Sequence, residues 1–187
     1  VLFTHPHKDH LAGLDDIRAF NFFSKKPMQI YANALTEEAL RRDFYYAFAD
    51  FKYPGIPEMI LNEIDGNEFM VGDILVQPIL VWHLKMPVFG FRFANFTYIS
   101  DANRIEDTEK EKVKGSVVLV LNALRKEKHI SHFSLQEAID LAIELNAKQT
   151  FFTHISHQLG KHDELEKELP PGIHPAFDGL VLDMVSS

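Results

Sequence analysis

Hydrophobic and polar positions alternate along this chain in blocks that change period several times. Val1-Leu2-Phe3-Thr4 is apolar or β-branched throughout and reads as the end of a buried strand. Asp15–Phe23 is expected to be helical and to end at Ser24-Lys25-Lys26-Pro27, and Met28–Tyr31 follows as a short strand. Thr36–Phe48 reads as one helix, with Glu37 and Glu38 in its first turn and Arg41 and Arg42 later, as the helix dipole prefers. The aromatic run Phe44-Tyr45-Tyr46-Ala47-Phe48 reads as core packing that leads into a Pro/Gly loop.

From Met59 onward the period shortens to that of strands: Ile60–Ile64, Phe69–Val71 and Ile74–Val81, separated by Asp65-Gly66-Asn67 and Gly72-Asp73. Val88–Phe93 and Phe96–Ser100 form a hairpin across Ala94-Asn95. Ile105–Lys114 is a charged helical stretch, and Val117–Leu121 reads as a strand buried on both faces. Ser134–Leu145 is the clearest helix, because Ser134 and Glu137 make a capping box and Leu135, Ala138, Ile139, Ala142 and Leu145 share a face. Gln149–Thr153 is a strand, Lys161–Leu169 a helix stopped by Pro170-Pro171-Gly172, and Val181–Val185 a last strand. No linker or internal repeat interrupts the order, so the expectation is one α/β domain over 1–187 with mixed sheets.

At 187 residues and 46% hydrophobic, with 16 Phe, 5 Tyr and 1 Trp, the chain has material for a real core. A formal charge of −8 argues against a broad nucleic-acid or anionic-membrane surface. Zero cysteines exclude disulfides and thiolate ligands within the chain. No apolar run approaches the ~20 residues of a membrane-spanning helix, so the expected location is cytoplasmic. The chain starts at Val1, inside the strand that leads to its densest motif, so an N-terminal portion is expected to be missing. Strand neighbours would then be lacking, and an exposed sheet edge invites pairing with a second copy.

That motif is His5-Pro6-His7-Lys8-Asp9-His10. Imidazole and carboxylate are ligand types shared by zinc, manganese and iron. An extended backbone sends His5 and His7 the same way, while Asp9 and His10 follow where the chain leaves the strand. One short loop can thus serve two adjacent metal ions. Further candidates stand at the carboxyl ends of strands, where α/β folds place their sites: His83, Asp101 and His154. Asp101, a carboxylate, has the capacity to bridge two metals that a neutral imidazole lacks.

With Tyr98-Ile99-Ser100-Asp101 and Phe152-Thr153-His154, these residues resemble the metallo-β-lactamase superfamily. The nearest resemblance within it is to the phosphoribosyl cyclic phosphate phosphodiesterases, through Gly90-Phe91-Arg92-Phe93, Thr153-His154-Ile155-Ser156-His157 and Phe177-Asp178-Gly179. The resemblance implies an αββα sandwich that here lacks its N-terminal strands. It also implies two divalent ions, zinc or manganese. One is held by His5, His7, His83 and Asp101, the other by Asp9, His10, His154 and the shared Asp101. The implied reaction is metal-assisted attack of hydroxide on a small cyclic phosphate ester, with Asp9 orienting the nucleophile and His132 as leaving-group acid.

In the resembling enzymes the histidine at the position of His157 helps bind a structural zinc with N-terminal cysteines. Here it is either such a ligand or a hydrogen-bonding residue behind the site. His129, His162 and His174 read as surface or packing residues, and Lys8, Arg92, Arg104, Arg125 and Lys126 as solvated cations. The competing functions are another hydrolase of the superfamily, a thioesterase or a transfer-RNA 3′-processing nuclease, and a non-catalytic metal-binding fragment. The acidic charge counts against the nuclease.

Overall fold

The computed structural model describes Val1–Met184, and it divides into two compact units, Val1–Asp65 and Gly66–Ser187. No helix among the described residues is long and apolar enough to cross a membrane.

In the first unit, a helical turn α1 (Lys8–Leu11) and a 3-10 turn (Ala12–Asp16) lead into α2 (Ile17–Ser24). Then come β1 (Met28–Ala32), α3 (Ala34–Asp43), α4 (Tyr45–Phe48) and β2 (Met59–Glu63). Strands β1 and β2 pair in parallel, Met28 opposite Met59. The first residues run parallel along β1 through one bridge, Leu2 to Tyr31, held by Phe3 N to Tyr31 O and Tyr31 N to Val1 O, each 2.9 Å. The expected strand end is therefore extended chain against β1.

The helix expected over Thr36–Phe48 breaks at Phe44, whose φ of −115° and ψ of 34° leave the helical region. The break lets Phe44 and Ala47 both enter the core with Leu11, Leu14, Ile30 and Leu40, while Tyr45 stays exposed. Tyr46 then reaches Asp15 with a 2.6 Å hydrogen bond. The side chain of Asn33 begins α3 by accepting from Thr36 N.

The second unit holds β3 (Phe69–Val71), β4 (Ile74–His83), β5 (Met86–Phe93), β6 (Phe96–Ile99), β7 (Arg104–Ile105), α5 (Asp107–Val113) and β8 (Val118–Asn122). It continues with α6 (Leu135–Leu145), β9 (Gln149–Thr153), a 3-10 turn (His157–Leu159), α7 (His162–Glu168) and β10 (Ile173–Pro175). The sheet order is β10-β9-β8-β6-β5-β4-β3, with β7 pairing β4. Strands β3 to β6 form antiparallel hairpins, while β6, β8, β9 and β10 are parallel. It follows that β4, β6, β8 and β9 run in one direction and end at one edge of the sheet.

The core of this unit joins Val81, Val88, Ile99, Leu119, Leu121 and Phe152 from the strands to Val113 of α5 and Ala138, Leu141, Ala142 and Leu145 of α6. The capping box of Ser134 and Glu137 is present at the start of α6. Arg92, in the Gly-Phe-Arg-Phe stretch, binds the carbonyls of Ala94, Lys112 and Lys114, so it ties the β5–β6 hairpin to the end of α5.

Two strand expectations need correction. Ile173–Pro175 forms β10, which the surrounding prolines conceal in the sequence; an edge strand tolerates proline because one side of its backbone needs no partner. Val181–Met184 forms no strand, since β10 already pairs with β9 at that edge, and Val181 is exposed. Val185, the last residue of that expectation, lies outside the described residues.

Candidate metal centre

In the second unit the chain ends of four co-directional strands deliver the polar groups. His83 is the last residue of β4, Asp101 lies two past β6, and His154 follows β9 directly. His132 arrives on the segment between β8 and α6. Asp101 is 1% exposed, and its Oδ1 has two imidazoles on it: His132 Nε2 at 3.2 Å and His154 Nε2 at 3.3 Å. Its Oδ2 accepts from the hydroxyl of Ser100, which fixes the plane of the carboxylate. The rings of His132 and His154 stack with centroids 4.9 Å apart, and the ring of His83 meets His132 edge-on at 4.5 Å.

His83 Nδ1 stands 3.1 Å from the carbonyl oxygen of Asp101. A carbonyl only accepts, so Nδ1 carries the proton and Nε2 presents its lone pair, the form a metal ligand requires. One ligand atom each from His83, Asp101 and His132 lie within 4.8 Å of one another. A borderline set of imidazoles around a buried carboxylate fits a divalent ion such as zinc or manganese.

Backbone conformation contributes too. Asp101 (φ 58°), His154 (φ 54°) and Leu84 (φ 58°), which follows His83, adopt the left-handed region without being glycine. Each costs on the order of 1–3 kcal/mol and persists only where its surroundings hold it. At Asp101 the surroundings are two asparagines. Buried Asn122 accepts from Ala102 N and donates to Ala102 O, both at 2.9 Å. Asn103 accepts from Leu84 N and donates to Ile130 O, both at 2.9 Å. The sequence marks neither asparagine, whose only signal is a position at or just past a strand end, and it gives Ser100 only as a member of the Tyr-Ile-Ser-Asp stretch, with no role.

In the first unit His5 is fully buried, and its ring lies 4.6 Å from that of His7 and 4.2 Å from that of His10. Thr4 Oγ1 contacts His5 Nδ1 at 2.9 Å, and Asp9 Oδ2 lies 3.5 Å from His10 Nε2. The turn of α1 brings this about: the backbone N–H groups of His10 and Leu11 both bond His7 O, which carries His10 back toward His5. Lys8 is directed to Asp43, at 2.8 Å. Hydrogen bonds from Arg42 and then Lys8 hold the Asp43 carboxyl down at about 2.

The remaining candidates lie apart from these clusters. His157 is exposed at the start of a 3-10 turn, with no side-chain hydrogen bond or ion pair among the described residues. His162 and His174 sit near α7, beside Asp163 and Glu166. His129, read from the sequence as surface or packing, is half-buried and packs against His132, with its Nδ1 3.1 Å from Nδ1 of that ring. A cleft of about 310 Å³ opens beside His154, lined by Thr153, Ile155, Ala176, Phe177 and Asp178. It gathers two of the stretches on which the subfamily resemblance rests.

The β-lactamase superfamily domain matches residues 1–155, and the chain belongs to this family, whose metallo-β-lactamase fold is that of metal-dependent hydrolases. Within it, the chain is similar to a diphosphatase of the PhnP family in its crystal structure. The two are 34% identical with a TM-score of 0.89, covering 98% of this chain and 70% of that one. A curated relative from Porphyromonas gingivalis, named octanoyltransferase, is 32% identical over 182 residues, 96% of this chain. The chain spans only 37% of that relative's length. Zinc-bound PqqB from Methylobacterium extorquens shares the fold at 17% identity, with a TM-score of 0.72 over 98% of this chain and 72% of its own.

Proposed function

We propose that this domain is a two-metal phosphodiesterase acting on a small cyclic phosphate ester. The observation that carries the reading is Asp101, a carboxylate 1% exposed with two imidazole Nε2 atoms on one oxygen. A further imidazole, His83, is held in its ligating tautomer by the carbonyl of Asp101. The likeness to a PhnP-family diphosphatase supports phosphoester chemistry.

In this reading, as the family pattern implies, His5, His7, His83 and Asp101 would hold one ion, and Asp9, His10, His154 and Asp101 the other. When bound, such ions lower the pKa of water and neutralise charge on a phosphoryl oxygen. The protein's own groups do the rest. Asp9 orients the attacking water, Ser100 keeps the Asp101 carboxylate in one plane, and His132 gives a proton from Nε2 to the oxygen that leaves phosphorus. One P–O bond forms as the ring P–O bond breaks, and the product is a phosphate monoester with a free hydroxyl. The cleft beside His154 is of a size for the sugar of such a substrate, with Phe177 as an apolar wall.

A panel of cyclic phosphodiesters, linear diphosphates, thioesters and precursor RNA tests this reading in protein loaded with manganese or zinc. Ring opening of the cyclic phosphates, abolished by a chelator and restored by either metal, is the expected result. Activity that survives thorough metal removal, or thioester or RNA turnover exceeding that of the phosphodiesters, overturns the reading. His132→Ala with both metals bound should lose turnover of substrates with poor leaving groups; full turnover rejects the acid role.

A further inference from the structure

The opening ligand motif contains one side chain whose charge opposes a metal. Lys8 stands between His7 and Asp9, and a flexible four-carbon stem lets a lysine ammonium swing over either neighbour. Two effects would then work against a divalent ion at this turn. Like charges would repel, and Lys8 would pair with the adjacent carboxylate of Asp9, which is exposed and open to such a partner. Among the described residues Lys8 pairs elsewhere: its Nζ lies 2.8 Å from Oδ2 of Asp43, the last residue of α3.

Asp43 is an uncommon residue for that place. A helix C-terminus disfavours a carboxylate, and this side chain is only 12% exposed. Arg42 binds both of its oxygens, at 3.0 and 3.3 Å, and Lys8 reaches it from a distant part of the chain. Those hydrogen bonds, from Arg42 and then Lys8, keep the carboxyl ionised throughout the neutral range. Arg42 alone would neutralise Asp43, so what the second contact changes is where the Lys8 charge sits. Lys112 and Lys114, by contrast, pair with carboxylates one turn away in their own helix. The Lys8 pair crosses from the ligand turn to another helix and ends on a nearly buried partner.

We propose that Asp43 is a positioning residue for the metal centre: by holding the Lys8 ammonium on α3, it leaves the Asp9 carboxylate free to ligate and keeps a positive charge off the neighbouring ion. This rests on the two-metal reading of Asp9 and His10. Asp43 itself belongs to neither proposed ligand set, and its effect is exerted wholly through Lys8.

Calorimetric titration of metal-stripped protein with manganese or zinc tests this without reference to turnover. Asp43→Asn keeps the shape of the side chain and releases Lys8, so one of the two binding steps should weaken about tenfold. Lys8→Met removes the charge and keeps the stem, and it should bind at least as tightly as the wild type. Adding Lys8→Met to Asp43→Asn should recover the loss. The penalty in Asp43→Asn should also shrink between about 0.01 M and about 1 M salt, as the screening length falls from about 30 Å to about 3 Å. Asp43→Ser gives a second way of releasing Lys8 should asparagine not be accepted at the site.

Wild-type affinity in the Asp43 variants overturns the assignment. So does a Lys8→Met protein as weak as Asp43→Asn, or a loss that the double variant does not recover, because either marks the pair as a structural tie. A wild type that binds no divalent ion removes the two-metal reading and this assignment with it, whereas wild-type binding without rescue removes this assignment alone.

Discussion

Asn122 shows how one side chain can hold a strained segment in place. Its amide satisfies both backbone groups of Ala102, next to Asp101 in the left-handed region, and it is fully buried. Asn122→Ala leaves the buried N–H of Ala102 without its acceptor, at a cost of about 1–3 kcal/mol. The expected result is an unfolding free energy lower by about 2 kcal/mol in chelator-treated protein, read by urea denaturation, and metal affinity about 10–100-fold weaker, read by calorimetry. Unchanged affinity would mean that Asp101 keeps its conformation without this clamp.

Tyr46 offers a second check, far from Asp101 in sequence. Burial first, and then its hydrogen bond to Asp15, push its phenol up to about 12. A raised folded-state pKa means that its stabilisation is complete below the ordinary tyrosine value near 10 and fades as pH rises through about 12. Absorbance titration of the five tyrosines should therefore show a late component near 12 that is lost in Tyr46→Phe, while that of Tyr98, whose phenol burial also raises, remains. A late absorbance change of undiminished amplitude in that variant would refute the assignment.

Among the elements, β5 is the least forgiving. A Cβ at Gly90 would stand 2.8 Å from Ile99 Cγ1 and 2.8 Å from the backbone oxygen of Tyr98. The side chain can turn away but the backbone oxygen cannot, so Gly90→Ala forces β5 and β6 apart. Overpacking of this kind costs about 1–3 kcal/mol. Because β6 leads straight to Asp101, thermal melting of Gly90→Ala should show lost stability and calorimetry should show weakened metal binding. A normal melting temperature would show that the pair can shift freely.

The elements also show where local pattern suffices. The capping box at Ser134 is fixed by groups three residues apart, and there sequence and structure agree. The break at Phe44 depends on which aromatic rings the core accepts, and β10 depends on an open sheet edge. Neither is a property of a short window.

For the whole molecule, the proposed ions have a thermodynamic signature. A ligand that binds only the native state stabilises it by about 2.7 kcal/mol at a hundredfold excess over its dissociation constant. Manganese or zinc should raise the melting temperature of this protein, and a chelator should reverse the rise. A melting curve indifferent to metal would exclude tight ion binding to the native state. Pairing of two copies through a sheet edge, the expectation drawn from the sequence, remains a proposal that light scattering decides: twice the chain mass supports it and a single chain mass rejects it.

The sequence by itself determined the family and the candidate ligand types with the strand ends that carry them, because His-x-His-x-Asp-His is a local pattern and strand ends show as breaks in apolar period. It also singled out His132. Tertiary structure alone decided that Asp101 and His154 adopt left-handed backbone, that Asn122 and Asn103 hold the segment after β6, and that His129 touches His132. Those facts depend on hydrogen bonds such as that from Asn122 to Ala102, made across strands about twenty residues apart, which no neighbouring residue encodes.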